Sequence, residues 1–213
     1  VEFDVHLSAD GVPVVHHDAT LERMTDGTGP VGSRTVAELA QLRIKGTVDE
    51  GVPTLDEVLD LLAPGDLWLR IEIKPDPDLR PYPGLPGQVV AALEARGLSG
   101  RAGITSFLSE TLSDPAVQES GLPRLALMAP MVFRCIGGLS GVERVLEMSG
   151  TRHMALPVGL VDAALLADAA ARGLTLSAYG AHDAGQITRA LELGLPVFTS
   201  DRPTLARQLR DGA

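Results

Sequence analysis

From residue 54 onward, short apolar runs alternate with amphipathic helical stretches, which is the pattern of parallel βα units. Thr54-Leu55-Asp56-Glu57 is a capping box that opens a helix to about Leu62. A strand follows over 67–73. A helix over Gln88–Arg96 then stops at Gly97, ahead of a strand at Gly103–Phe107. The rhythm recurs with strands at about 124–129, 153–157, 174–179 and 196–199. Ala95-Arg96-Gly97-Leu98 and Ala171-Arg172-Gly173-Leu174 are the same helix stop, with glycine at the left-handed cap position.

With a first strand at 2–7 the count is seven. A closed (β/α)8 barrel needs roughly 250 residues, so the expected architecture is α/β, a TIM-type barrel whose first βα unit is missing from this chain. An open doubly wound sheet fits less well, because no glycine-rich phosphate fingerprint follows any strand. The chain, 1–213, is expected to form one domain. Within it the Gly- and Thr-rich stretch 19–53, with one short helix near Val36 to Leu42, is a small insertion expected over the barrel's carboxyl end.

The first strand departs from a plain apolar pattern. Glu2 and Asp4 are two residues apart and share a strand face. In the strand at 67–74, leucine and isoleucine take the odd positions, so Trp68, Arg70, Glu72 and Lys74 line the other side. Asp10-Gly11, flanked by apolar runs, signals a hairpin. A two-residue turn there makes partners sum to 21, which sets Asp4 across from His17 and turns His16 away. Glu2, Asp4, Glu72, His17 and Lys74 together supply what metal-assisted attack on a phosphate ester requires. Lysine usage sharpens the point, since only Lys45 and Lys74 stand among 18 basic residues. A compact ammonium suits phosphate, and an ion pair with Glu72 is the plainer alternative.

Composition narrows the partners. At 213 residues and 45% hydrophobic content the chain can bury a full core. A net charge of −10 argues against nucleic acid or an anionic membrane as a partner, since both select for basic patches. No apolar run approaches the roughly 18 residues of a membrane span. Cys135 is the single cysteine, so no internal disulfide forms. The chain starts at Val1, so the compartment stays open, with the cytoplasm favoured over secretion, and oligomeric state is not encoded legibly.

In order along the chain stand Glu2-Phe3-Asp4-Val5, Asp10-Gly11, Val14-Val15-His16-His17-Asp18, Leu21-Glu22-Arg23-Met24-Thr25, Pro53-Thr54-Leu55-Asp56-Glu57-Val58-Leu59, Glu72-Ile73-Lys74, Ser106-Phe107 and Thr199-Ser200-Asp201-Arg202-Pro203. This series resembles the glycerophosphodiester phosphodiesterases. The resemblance implies a (β/α)8 barrel that hydrolyses glycerophosphodiesters to sn-glycerol 3-phosphate and an alcohol, with a divalent metal and two histidines. It implies Glu2, Asp4 and Glu72 as metal ligands, His17 as one catalytic histidine and Lys74 as a phosphate contact. The second histidine, in a His-Arg-Gly motif, and a further metal carboxylate fall before Val1. An all-carboxylate set suits Ca2+ or Mg2+. Tyr179, where the family often carries tryptophan, and Phe107 are expected to wall the substrate, with core packing as the alternative for both and for Met128.

Arg23 is read as a second phosphate contact or a structural ion pair, and Asp201 as closing the last strand and its loop. His6, His153 and His182 read as isolated surface or packing residues. Two other functions remain open: a phosphodiesterase for another lipid headgroup, and a catalytically incomplete barrel that only binds anions or partners.

Overall fold

The computed structural model describes residues 1–212. They form two compact units, Val1–Arg124 and the chain from Leu125 on. In the first unit β1 (Glu2–Leu7) and β2 (Pro13–Val15) form a hairpin, followed by α1 (Val36–Leu39), α2 (Leu55–Leu62), β3 (Leu69–Ile73), α3 (Leu85–Ala95), β4 (Ala102–Ser106), α4 (Ser109–Leu112) and α5 (Pro115–Glu119). β5 (Arg124–Leu127) begins at the boundary. The second unit continues with α6 (Pro130–Cys135), α7 (Leu139–Met148), β6 (His153–Pro157), α8 (Ala163–Ala171), β7 (Thr175–Tyr179), α9 (Ala184–Glu192) and α10 (Pro203–Asp211).

Strand order is β2-β1-β3-β4 in the first unit and β5-β6-β7 in the second. β1–β3, β3–β4, β5–β6 and β6–β7 are parallel, and only β1–β2 is antiparallel. Each parallel step is bridged by helix, as the connection requires. In β3 the odd positions Leu69, Ile71 and Ile73 are fully buried, as are Leu55 and Leu59 of α2 and Val89 and Leu93 of α3. Residues 19–53 carry a small core of their own, in which Leu21, Val31, Leu39 and Val52 pack with Val14. The Ala9 N–H donates to Arg34 O at 2.8 Å, tying that segment to the loop after β1.

Local signals act as expected at the helix ends. Thr54 Oγ1 accepts from the Glu57 N–H at 3.2 Å while Glu57 Oε2 accepts from the Thr54 N–H at 2.8 Å. The two glycine stops are built alike: Gly97 and Gly173 have φ of 66° and 67°. The Leu98 N–H reaches back to Leu93 O, and the Leu174 N–H to Ala169 O, both at 2.9 Å. α3 starts at Leu85 and not at residue 88, because Pro86 occupies the first turn, where its missing N–H costs nothing.

Two expectations fail for identifiable reasons. The hairpin pairs Val5 with Val15 and Leu7 with Pro13, a sum of 20 and not 21. The loop spans three residues, closed by Gly11 at φ 79° with its N–H on Ser8 O and by the Ser8 N–H on Val12 O. Asp4 therefore faces His16, whose N–H donates to Asp4 O at 3.0 Å, and not His17. The run 196–199 forms no strand. Pro196 lacks a donor, and only a single bridge, Ala178 to Phe198, joins this run to β7.

Replacing Thr54 by Ala removes the capping box of α2. The expected loss is about 1 kcal/mol in urea unfolding at an unchanged m-value.

Candidate active site

The parallel register sets Asp4 beside Glu72 and Glu2 beside Arg70, so the even positions of β1 and β3 bring their polar side chains onto one face. Glu2, Asp4 and Glu72 each place a carboxylate oxygen within 4.8 Å of the others. Lys74, immediately after β3, lies between two of them: its Nζ is 2.8 Å from Asp4 Oδ1 and 2.5 Å from Glu72 Oε1. Glu72 is buried, Asp4 half-buried and Glu2 the most open of the three.

Lys74, and Arg70 beside Glu2, are two cations against three carboxylates. Burial, followed by the charges of Asp4 and Glu72, pushes the Glu2 carboxyl up to about 7. Burial likewise raises Glu72 against the pull of Lys74. Glu72 Oε1 is shielded from solvent and accepts no well-aligned hydrogen bond, although Lys74 is close. A half-buried group of three carboxylates whose oxygens lie within 4.8 Å of one another fits a hard divalent cation.

His17 stands on the turn after β2. The turn is fixed to β1 through the His16 N–H on Asp4 O. The His17 ring is more than half exposed, with Nδ1 2.6 Å from Asp18 Oδ1. Asp18 in turn accepts from Arg23 Nε at 2.5 Å and Nη2 at 2.6 Å. These bonds from Arg23 hold the Asp18 carboxyl far below the usual carboxylate range. His16 turns the other way, as strand alternation implies: it is buried, with its Nδ1 donating to Asp18 O at 2.7 Å.

His6 is not an isolated residue. It follows Glu2 and Asp4 on the same face of β1 and is 1% exposed. Its Nδ1 lies 3.2 Å from the Tyr82 hydroxyl and its Nε2 3.4 Å from His17 O, so it links the loop after β3 to the turn that carries His17. The two-residue spacing from Asp4 was the available signal for His6. Tyr82 offered none, since it stands in a proline-rich loop. Phe107 directly follows β4 and is 38% exposed. In the second unit Tyr179 ends β7, packs with Leu125, Leu127 and Ala155, and donates its hydroxyl to Met128 O at 3.2 Å. His182 pairs with Asp201 at 2.9 Å, and His153 Nε2 lies 2.7 Å from Ser177 Oγ.

Both units are built of parallel βα steps, and Glu72 and Lys74 stand at the carboxyl end of β3, where (β/α)8 barrels place their chemistry. The architecture is thus α/β of the (β/α)8-barrel class, with a carboxylate-rich site suited to phosphoesters. The chain belongs to the glycerophosphoryl diester phosphodiesterase family, whose model matches residues 1–205. It is 35% identical over 119 residues to the glycerophosphodiester phosphodiesterase of Caldanaerobacter subterraneus, a match covering 54% of this chain and 48% of that one, about half the relative's length. A solved Agrobacterium tumefaciens structure, described as a glycerophosphoryl diester phosphodiesterase, superposes with a TM-score of 0.93 at 37% identity, covering 100% of this chain and 85% of that one. An Oleispira antarctica phosphodiesterase, solved in complex with the product sn-glycerol-3-phosphate, superposes at 0.79 with 25% identity, covering 99% and 84%.

Burial lowers the His6 pKa to about 4, against about 6.5 for an unfolded histidine. Between those values the unfolded chain binds a proton that the folded one does not, so this contribution to stability falls as pH drops from about 6.5 to 4, by about 3 kcal/mol in all. His6→Gln removes that slope, and the difference between variant and wild-type unfolding curves across this range measures it.

Proposed function

We propose that this chain hydrolyses glycerophosphodiesters to sn-glycerol 3-phosphate and an alcohol, with the Glu2, Asp4, Glu72 and Lys74 cluster as its phosphate-handling centre. The observation that carries the reading is the convergence of three carboxylates within 4.8 Å, one of them buried, with the Lys74 ammonium against two of them. Support for the substrate class comes from family membership and from the product bound to the Oleispira relative.

Glu2, Asp4 and Glu72 would hold Ca2+ or Mg2+, which supplies neutralisation of the phosphoryl charge. Lys74 orients Asp4 and Glu72 and presents its ammonium to a phosphoryl oxygen. His17 moves a proton at its Nε2, the nitrogen left free by the contact between Nδ1 and Asp18. Its exposed ring leaves Nε2 open to substrate. Phe107, exposed directly after β4, is assigned to the wall around the alcohol or glycerol. The substrate is a small molecule, and the cytoplasm is the proposed compartment. No described helix is long and apolar enough to cross a membrane.

The test is release of glycerol 3-phosphate from glycerophosphocholine and glycerophosphoethanolamine, with Ca2+ or Mg2+ and with chelator. Turnover is expected with metal and lost with chelator. His17→Ala should lower kcat by about 10²-fold or more while unfolding stability stays within about 0.5 kcal/mol of wild type. Glu72→Gln should weaken cation binding by calorimetry as well as activity. Retained turnover in His17→Ala, or cation affinity unchanged by Glu72→Gln, would overturn these roles.

A further inference from the structure

Arg23 and Asp18 do more around His17 than a surface ion pair needs. Arg23 Nε and Nη2 donate to the two oxygens of Asp18, at 2.5 and 2.6 Å, so the carboxylate is held in a fork and its plane is fixed. Asp18 Oδ1 also lies 2.6 Å from His17 Nδ1, and Arg23 Nη2 is 3.1 Å from that same nitrogen. A guanidinium has only donors, and a carboxylate forked by one carries no proton. The proton in the short contact between His17 and Asp18 is therefore on Nδ1, with Arg23 and His17 donating side by side to one oxygen.

The base of Arg23 is fixed as well. It stands in a turn in which the fully buried Leu21 donates its N–H to Gly29 O at 3.0 Å, while Leu21 O accepts from the Thr25 N–H and Thr25 Oγ1, both at 2.9 Å. Asp18, adjacent to His17 in sequence, is anchored at its backbone, where its O accepts from His16 Nδ1 at 2.7 Å, while its carboxylate is held by Arg23 and His17. Without the fork its carboxylate is free to rotate toward solvent.

We propose that Arg23 is a positioning residue: by forking Asp18 it locks His17 in the Nδ1–H tautomer and frees Nε2 to exchange a proton with substrate. The functional part rests on His17 being the proton-transfer group. The structural part does not. In this arrangement Arg23 Nε and Nη2 both donate to Asp18, and Arg23 acts on the reaction through the ring and not through the phosphate.

The experiment reads the His17 tautomer by two-bond 1H–15N correlation of the ring nitrogens at about pH 8, above the ordinary histidine range. The His17 signals are identified by their loss in His17→Gln. In the wild type Nδ1 is expected to be protonated and Nε2 bare. Arg23→Met, and independently Asp18→Asn, should shift the ring toward Nε2–H. With glycerophosphocholine and metal, Arg23→Met is expected to lower kcat about tenfold with KM within about twofold of wild type. Arg23→Lys, which keeps the charge but cannot fork, should recover part of kcat. An unchanged tautomer in both Arg23→Met and Asp18→Asn overturns the proposal. So does a raised KM at constant kcat, which would make Arg23 a phosphate contact. If the wild type shows no turnover, the assigned function fails while the tautomer measurement still decides the role of Arg23.

Discussion

Crowding of like charge where β1 and β3 run side by side is the constraint on which the rest of this site depends. Parallel pairing sets Asp4 against Glu72, and strand alternation brings Glu2 to the same face. At about 4 Å, two unit charges repel by about 4 kcal/mol in a partly buried setting. Lys74 relieves part of that repulsion by pairing with Asp4 and Glu72 together. The remainder is visible in the raised Glu2 and Glu72 carboxyls. A group strained in this way is a poor stabiliser of the fold and a good receptor for a cation.

The imidazole is held differently. What fixes His17 is mostly beneath it: the buried His16 bonded through its backbone to Asp4, and the buried His6 between Tyr82 and the His17 carbonyl. The ring itself is exposed and steadied only by Asp18 and Arg23. A firm floor with an open upper surface allows the side chain to meet a substrate without losing its place. It also explains why residues remote from any substrate contact, such as Tyr82 and Leu21, matter to the geometry.

Where the sequence was misread, short-range geometry was underdetermined. Asp10-Gly11 signals a tight turn whether the loop has two residues or three, yet one residue of difference changes which histidine faces Asp4. The run at 196–199 is apolar enough for a strand, but a proline and the limited pairing offered by β7 reduce it to a bridge. His6 looked isolated because its partners, Tyr82 and the carbonyl of His17, lie 76 and 11 residues away.

Periodicity and cap chemistry are local, so the βα rhythm, the capping box at Thr54, the two glycine stops and the shared face of Glu2 with Asp4 could all be read from the chain alone. The ordered motifs from Glu2 to Pro203 were enough to suggest the family. Only the tertiary structure decided that Asp4 and Glu72 are strand neighbours, that Lys74 bridges them, and that Asp18 is forked by Arg23. Those facts depend on register and on side-chain direction across elements far apart in sequence, which no local pattern of residues records.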